Sequence, residues 1–244
     1  MIDYATISMI GSKEKNEDAV RAYINQPLAA YGFLVADGLG GHGNGEIASN
    51  FVADCIGAAI ENTSSIEGRF IDECFDTSQK MLMEEKEING MSSIKTTLVL
   101  LLISNGIAQW GHIGDSRLYL FHDAKMVSRT FDHSVPQLLA LRKEIKEKEI
   151  RHHPQRSMLL KAMGSEWYQP EYEIDQRRRK IRNGDAFLLC SDGFWEWIEE
   201  KEMQRVIRKK QSAYDTLREM TDIVCKNGTG KDMDNLSAVY IRIS

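Results

Sequence analysis

Twice in this chain a short apolar run ends on an aspartate followed at once by glycine. Phe33 to Ala36 runs into Asp37-Gly38, and Phe187 to Ser191 runs into Asp192-Gly193. Runs this apolar read as buried strands, which need cover on both faces and therefore a layered fold. A carboxylate at the end of such a strand costs free energy unless a partner neutralises it. Beyond Asp37 the chain carries Gly38, Gly40, Gly41, Gly43 and Gly45, so that backbone can come close to that partner. A metal ion is the partner that this arrangement favours, with the rest of the chain bringing more carboxylates to it. Two plainer readings compete. Asp-Gly is a common turn dipeptide. The spacing Gly38-x-Gly40-x-x-Gly43 also fits the dinucleotide-binding fingerprint by letter, but the next strand-like run starts only near Thr96, beyond the roughly 30-residue unit that the fingerprint needs.

Composition narrows the classes. The 244 residues are 42% hydrophobic and 27% charged, ordinary for a soluble globular protein with a sizeable core, and one domain over 1–244 is expected. A net charge of −5 argues against a general nucleic-acid binder. The basic runs Arg177 to Lys180 and Arg208 to Lys210 read as solvated faces. Leu98 to Ile103, the longest strongly apolar run, is too short to span a bilayer, and the amino terminus lacks the basic and apolar regions of a signal peptide. Cys55, Cys74, Cys190 and Cys225 are far apart, without metal-type spacing, and read as buried free thiols in a reducing cytosol.

In chain order, residues 2 to 9 and 20 to 24 read as strands around a polar turn ending in Glu17-Asp18. Glu46 to Glu61 has an apolar stripe at helical spacing, and a second helix is expected from about Ile66 to Glu87. Strands are expected over Thr96 to Ile103, Ile107 to Ile113, Leu118 to Phe121 and Met126 to Arg129, with Asn105-Gly106 as a hairpin turn. Asp115 therefore stands at a strand end. Residues 134 to 161 look like an inserted helical flap, with a short helix near Leu138, a charged helical stretch from Lys143 to Arg151, and a break at His152-His153-Pro154. Glu171 to Ile181 reads as strand, Trp195 to Ile207 and Tyr214 to Cys225 as helices, and Leu236 to Ile243 as the closing strand.

Acids at strand edges thus comprise Glu17, Asp18, Asp37, Asp115, Asp192 and Asp234, with no matching His or Cys cluster. An all-oxygen donor set suits Mg²⁺ or Mn²⁺ rather than Zn²⁺. Several carboxylates around one point favour two ions, an arrangement that fits hydrolysis of a phosphate ester. The acids sit in a longer series: Asn16-Glu17-Asp18; Val35-Ala36-Asp37-Gly38-Leu39-Gly40-Gly41-His42 with Gly45-Glu46 and Ala48-Ser49; Thr96-Thr97-Leu98; Gly114-Asp115-Ser116-Arg117; Asp132-His133-Ser134; His153-Pro154 with Ala162-Met163-Gly164; Cys190 to Trp195; and Asp234-Asn235-Leu236-Ser237. In these motifs, in this order and over essentially its whole length, the sequence resembles the metal-dependent protein phosphatases, or protein phosphatase 2C family, in their compact bacterial form.

The resemblance implies an α+β fold, a four-layer α-β-β-α sandwich of two antiparallel sheets flanked by helices. It implies serine/threonine protein phosphatase activity at a dinuclear Mn²⁺ or Mg²⁺ site in a cleft at one edge. Asp37 would bridge both ions and Gly38 would lend its carbonyl. Asp192 and Asp234 would hold one ion, and Glu17 with Asp18 the other through water, while Asp115 and Asp192 would form a third, weaker site. Three positions depart from the family. Lys13 stands where an arginine usually grips the substrate phosphate, and a point charge replaces a planar fork. Lys95 stands where many relatives have glycine. Leu39 stands where some animal relatives have a histidine proposed as general acid, and His42 is the nearest alternative. The expected setting is a monomeric cytosolic phosphatase acting on phosphoproteins made by a serine/threonine kinase, without nucleic-acid or membrane partners. A non-catalytic phosphopeptide-binding relative is the alternative from another class.

Overall fold

Residues 1–40, 44–91 and 93–244 are described here from a computed structural model. The expectation attached to His42 lies outside these residues. The chain runs β1 (Ile2–Met9), β2 (Asp18–Asn25), β3 (Ala30–Leu39), α1 (Gly45–Asn62), α2 (Phe70–Asn89), β4 (Lys95–Thr96), β5 (Leu98–Ser104), β6 (Ile107–Ile113), β7 (Arg117–His122) and β8 (Lys125–Arg129). It continues through α3 (Val135–Leu141), a 3-10 helix (Glu147–His152), β9 (Glu173–Ile174), β10 (Arg179–Lys180), β11 (Asp185–Cys190), α4 (Asp192–Trp195), α5 (Glu200–Ile207), α6 (Ala213–Gly228) and β12 (Leu236–Ile243). One sheet has the order β1-β12-β11-β7-β8. The other has the order β10-β6-β5-β3-β2, with β4 added on β3 and β9 on β6. Both are antiparallel in the register of their central strands.

Side-chain alternation explains why the central strands are apolar throughout. On β3, Phe33 and Val35 face the space between the sheets, while Leu34 and Ala36 face α1 and α2. On β5 the same split separates Val99, Leu101 and Ile103 from Leu98, Leu100 and Leu102. On β11 it separates Phe187 and Leu189 from Ala186, Leu188 and Cys190, which lie under α4, α5 and α6. Each of these strands is buried on both faces, so the period-2 alternation is invisible in the sequence and only an apolar run remains. The four-layer α-β-β-α sandwich is thus the observed architecture.

Four local expectations need correction. The run Thr96 to Ile103 is divided at Thr97 into β4 and β5, because Thr97 turns its backbone N–H to the carbonyl of Asp37 (2.9 Å). The charged stretch Lys143 to Arg151 is helical only over the 3-10 helix, since Lys143 closes α3 with φ +63. Glu171 to Ile181 is not one strand: Asp175 Oδ1 accepts from the N–H of Arg177 (2.9 Å) and Arg178 takes φ +41, leaving only the two-residue pieces β9 and β10 paired with β6. Trp195 to Ile207 is broken by extended backbone at Glu199, which opens α5 through a reciprocal capping box with Glu202. Among the cysteines, Cys74 and Cys190 are buried, whereas Cys55 and Cys225 are half-buried; all four are free thiols.

Leu100 is fully buried between β5 and the first helical layer. Leu100→Ala is expected to lower unfolding free energy by about 2–5 kcal/mol through lost burial and the cavity left behind. Urea titration followed by far-UV circular dichroism checks this; a loss below 1 kcal/mol would mean that the layer is loosely packed.

Candidate metal centre

The start of β2 and the ends of β3 and β6 in one sheet, with the end of β11 and the start of β12 in the other, open onto one cavity of about 710 Å³. Lys13, Glu17, Asp37, Gly38, Asp115, Asp192 and Asp234 line it, together with Ser157 and Leu159 from the 134–161 segment. Asp18, itself buried, stands directly opposite Asp37 in the β2–β3 register. Like charges directly opposite on neighbouring strands repel.

Backbone bonds hold Asp37 in place despite that repulsion. Its N–H donates to Thr97 Oγ1 (3.0 Å), and its carbonyl accepts from Thr96 Oγ1 (2.9 Å) and Thr97 N (2.9 Å). Thr97 Oγ1 is itself bonded to Ser116 Oγ (2.7 Å), beside Asp115. Gly38 and Gly45 bring β3 and α1 into contact; a Cβ on Gly38 would lie 2.3 Å from the Gly45 carbonyl oxygen. Glu17 Oε1 then accepts from Gly45 N (2.7 Å), capping a helix whose own N-cap residue, Asn44, supplies no side-chain bond.

The remaining acids are tied equally closely. Ser191 Oγ donates to Asp18 Oδ2 (2.9 Å). Asn235 donates to the carbonyls of Ile10 (2.7 Å) and Lys15 (2.9 Å) and accepts from Glu17 N (2.8 Å), fastening the first turn to the start of β12. Asp115 follows Gly114, which His133 grips at both its carbonyl (2.8 Å) and its N–H (3.2 Å). Trp195 Nε1 donates to the Asp115 carbonyl (2.9 Å). Asp192 opens α4; its Oδ2 accepts from Arg156 Nη1, whose Nη2 lies 3.1 Å from Glu196 Oε2. Lys13 Nζ stands 3.7 Å from Asp234 Oδ2 and 3.7 Å from Asp232 Oδ1.

Burial and mutual repulsion set the protonation of this cluster. Burial, then the charges of Asp18, Asp192, Asp115 and Asp234, push the Asp37 carboxyl well above the usual range. Asp115 is raised well above it too, by burial and then by Asp192 and Asp132, against the pull of Arg156 and Arg117. Burial lifts Asp18 to about 7 although hydrogen bonds with Ser237 and Ser191 pull it down, and burial followed by Asp192 raises Asp234.

A cation fits this donor set. Oδ1 of Asp18 and Oδ1 of Asp192 are buried without a hydrogen-bond partner, and the cluster is all oxygen. A second group, His112, His133 and Glu173, brings ligand-type atoms within 4.8 Å of one another. It is committed elsewhere: His112 Nε2 bonds the Phe131 carbonyl (2.7 Å), and His133 Nδ1 accepts from Gly114 N, so its protonated Nε2 faces Glu173 at 3.2 Å.

The profile of the family described as Protein phosphatase 2C matches residues 7–237. The chain belongs to that family. It is similar to the serine/threonine phosphatase stp of Listeria monocytogenes serotype 4b (strain F2365), with 29% identity over 229 residues, 89% of this chain and 84% of the relative. It is also similar to the serine/threonine protein phosphatase PstP of Mycobacterium tuberculosis (strain ATCC 25618 / H37Rv), with 28% identity over 93% of this chain and 42% of the relative. The crystal structure of Stp1 from Staphylococcus aureus superposes with a TM-score of 0.88 at 26% identity, over 100% of this chain and 96% of that one. The catalytic domain of a PstP solved with two manganese ions shares the fold at a TM-score of 0.82 and 23% identity, over 99% of this chain and 97% of that one.

Of the expected site residues, Lys13, Glu17, Asp37, Gly38, Asp115, Asp192 and Asp234 line one cavity, and Asp18 stands opposite Asp37. Two participants were not foreseen, Arg156 and Glu196. Arg156 is one charge among many in the 134–161 segment, and no spacing in the sequence singles it out.

The raised carboxyls give a signed expectation for the metal-free protein. Stability from Asp18 is fully present below its unfolded value of 3.8 and is lost as pH rises through about 7. In chelator, melting temperature is expected to fall across that window, and Asp18→Asn to melt higher than the parent chain at pH 8. Thermal unfolding against pH checks this; an Asp18→Asn variant that melts lower at pH 8 would contradict it.

Proposed function

We propose that this chain is a serine/threonine protein phosphatase that hydrolyses phosphoserine and phosphothreonine at a dinuclear Mn²⁺ or Mg²⁺ site. The observation that carries the proposal is the convergence of buried acids from both sheets on one cavity, with two carboxylate oxygens left unpartnered. Asp37 would serve both ions and Gly38 would lend its carbonyl, Asp192 and Asp234 would hold one ion, and Glu17 with Asp18 the other through water; Asp115 and Asp192 would form an outer, weaker site. When bound, the ions supply an activated water and positive charge for the phosphoryl oxygens.

The chain's own groups do the rest. Lys13, on the rim beside Asp234, meets the dianionic phosphate of the substrate as a point charge and turns the ester toward the acids. Thr96 and Thr97 fix the backbone of Asp37 at its place opposite Asp18. The described cavity wall presents no histidine or cysteine, and its aspartates would be held as ion ligands rather than left free to attack phosphorus. The leaving alkoxide then takes its proton from water. The substrates are phosphoproteins of a serine/threonine kinase, and the protein works as a monomer in the cytosol. No helix among the described residues is long and apolar enough to cross a membrane.

Hydrolysis of an aryl phosphate and of phosphothreonine peptides is expected to require added Mn²⁺ or Mg²⁺ and to show no burst in single-turnover experiments. Peptide binding without turnover would favour the non-catalytic alternative. Asp37→Asn is expected to cut turnover by more than about a hundredfold, since loss of a direct ligand exceeds loss of a supporting residue. It is also expected to raise the melting temperature in chelator, because an acid whose ionisation burial and its neighbours oppose is gone. Lys13→Ala is expected to raise KM for phosphopeptide by about tenfold or more, as for a lost charge-assisted bond, with Lys13→Arg retaining the affinity. Steady-state kinetics distinguish these outcomes.

A further inference from the structure

A second cavity, of about 550 Å³, shares no lining residue with the metal centre. Its wall comes from β7, β8, the 3-10 helix and the first turn of α5, and it carries Arg117, Arg129, Lys148, Arg151 and Lys201. The acids of that wall are Glu147, Glu199 and Glu200, and each is already engaged. Arg129 donates from Nε to Glu147 Oε1 (3.0 Å), Arg151 from Nη2 to Glu200 Oε1 (2.7 Å), and Glu199 caps α5. Arg117 is committed to Asp132 and Tyr119, and its guanidinium stacks 3.5 Å from the ring centre of Trp195. Positive groups remain without a partner. Nη1 of Arg151 is buried and makes no hydrogen bond, on a side chain only 11% exposed. Among the described residues, no acid lies within ion-pair distance of Lys148 or Lys201. The N–H groups of Glu200 and Lys201 open α5 and have no acceptor within the helix, whose positive end thus forms part of the wall. His152, also on this wall, is held below its ordinary value by burial and then by the charges of Arg151 and Arg156.

We propose that this cavity is an anion site, separate from the metal centre, for the tetrahedral phosphate group of inorganic phosphate or of a small phosphate monoester. A buried guanidinium arm without an acceptor has lost the hydrogen bond that water would give it, and an oxyanion restores that bond. The free donors come singly from two separate elements: Arg151 Nη1 and Lys148 from the 3-10 helix, Lys201 and the first N–H groups from α5. A planar carboxylate suits a two-armed fork, and the second arm of Arg151 is already on Glu200. A tetrahedral dianion instead offers a separate oxygen to each donor, and phosphate is at home on the N–H groups that open a helix. The cavity is larger than a phosphate ion needs, which leaves room for the organic part of a monoester. Bound there, the anion would join the 134–161 segment to α5. The proposal does not depend on the phosphatase reading, since none of these donors belongs to the metal centre.

Calorimetric titration of the whole chain in chelator tests this, because the ion-free acids of the metal centre repel an anion. Inorganic phosphate is expected to bind one to one. Glycerol phosphate is titrated beside it: equal affinity assigns the site to the phosphate group alone, and tighter binding of the ester assigns it to monoesters. Arg151→Gln is expected to weaken phosphate by at least about tenfold, as for a lost charge-assisted hydrogen bond. That change also strips Glu200 of its partner, so a second variant guards against misfolding. Lys148 and Lys201 are exposed, and replacing both by Ala is expected to keep the fold and weaken phosphate by about tenfold, as for two lost charges at a surface site. Lys13→Ala, at the rim of the metal centre, is expected to leave the affinity unchanged. Phosphate is also expected to slow protease cleavage within 134–161 in the parent chain and not in the double-lysine variant. The proposal is overturned by a folded parent chain that shows no saturable binding of phosphate, by acetate binding as tightly as phosphate, or by binding that survives both variants of the wall. Loss of binding in Lys13→Ala would also overturn it, since the phosphate would then sit at the metal centre.

Discussion

Mutual repulsion among buried and half-buried carboxylates is the constraint on which the rest of this structure depends. Asp18, Asp37, Asp115, Asp192 and Asp234 come from both sheets and reach one cavity. Each close pair of like charges costs on the order of a few kcal/mol at the effective dielectric of a partly buried site. Left to themselves the strand ends would splay. The four-layer core prevents this, since β3, β5 and β11 are apolar on both faces and cannot shift register without exposing a whole face to the wrong layer.

Short-range bonds complete the restraint. Thr96 and Thr97 fasten the backbone of Asp37, Ser116 joins Thr97 to the Asp115 loop, and Asn235 ties the first turn to β12. None of these groups needs to touch a substrate. They hold the acids in an arrangement that a hard divalent cation satisfies and that water alone does not. The same repulsion that raises Asp37 and Asp115 is therefore the source of affinity for a cation.

Among the cations near the cluster, two come from separate parts of the chain and meet different acids. Lys13 stands on the rim by Asp234, half in solvent, where it can leave its carboxylate for an incoming anion. Arg156 is more deeply set, on Asp192 and Glu196. The exposed cation stands at the cavity rim, and the enclosed one is committed to the acids themselves. This division assigns different tasks to residues that look alike in a list of charges.

Much of this was legible in the sequence because it depends on local pattern. Apolar runs ending in Asp37 and Asp192 announce covered strands with charged ends, and the glycines after Asp37 announce a close backbone approach. The ordered motifs carried the family, the sandwich and the acids. Other features depend on pairing across the chain and left no local trace. Glu171 to Ile181 looks like a strand, but only two pairs of residues find partners on β6. Trp195 to Ile207 has helical periodicity, but the backbone straightens at Glu199. The sequence by itself determined which acids would be brought to the ends of buried strands, because burial and strand period are written in consecutive residues. Only the tertiary structure decided which cations face them: the contact between Arg156 and Asp192 joins residues thirty-six positions apart, and no periodicity encodes a meeting of that kind.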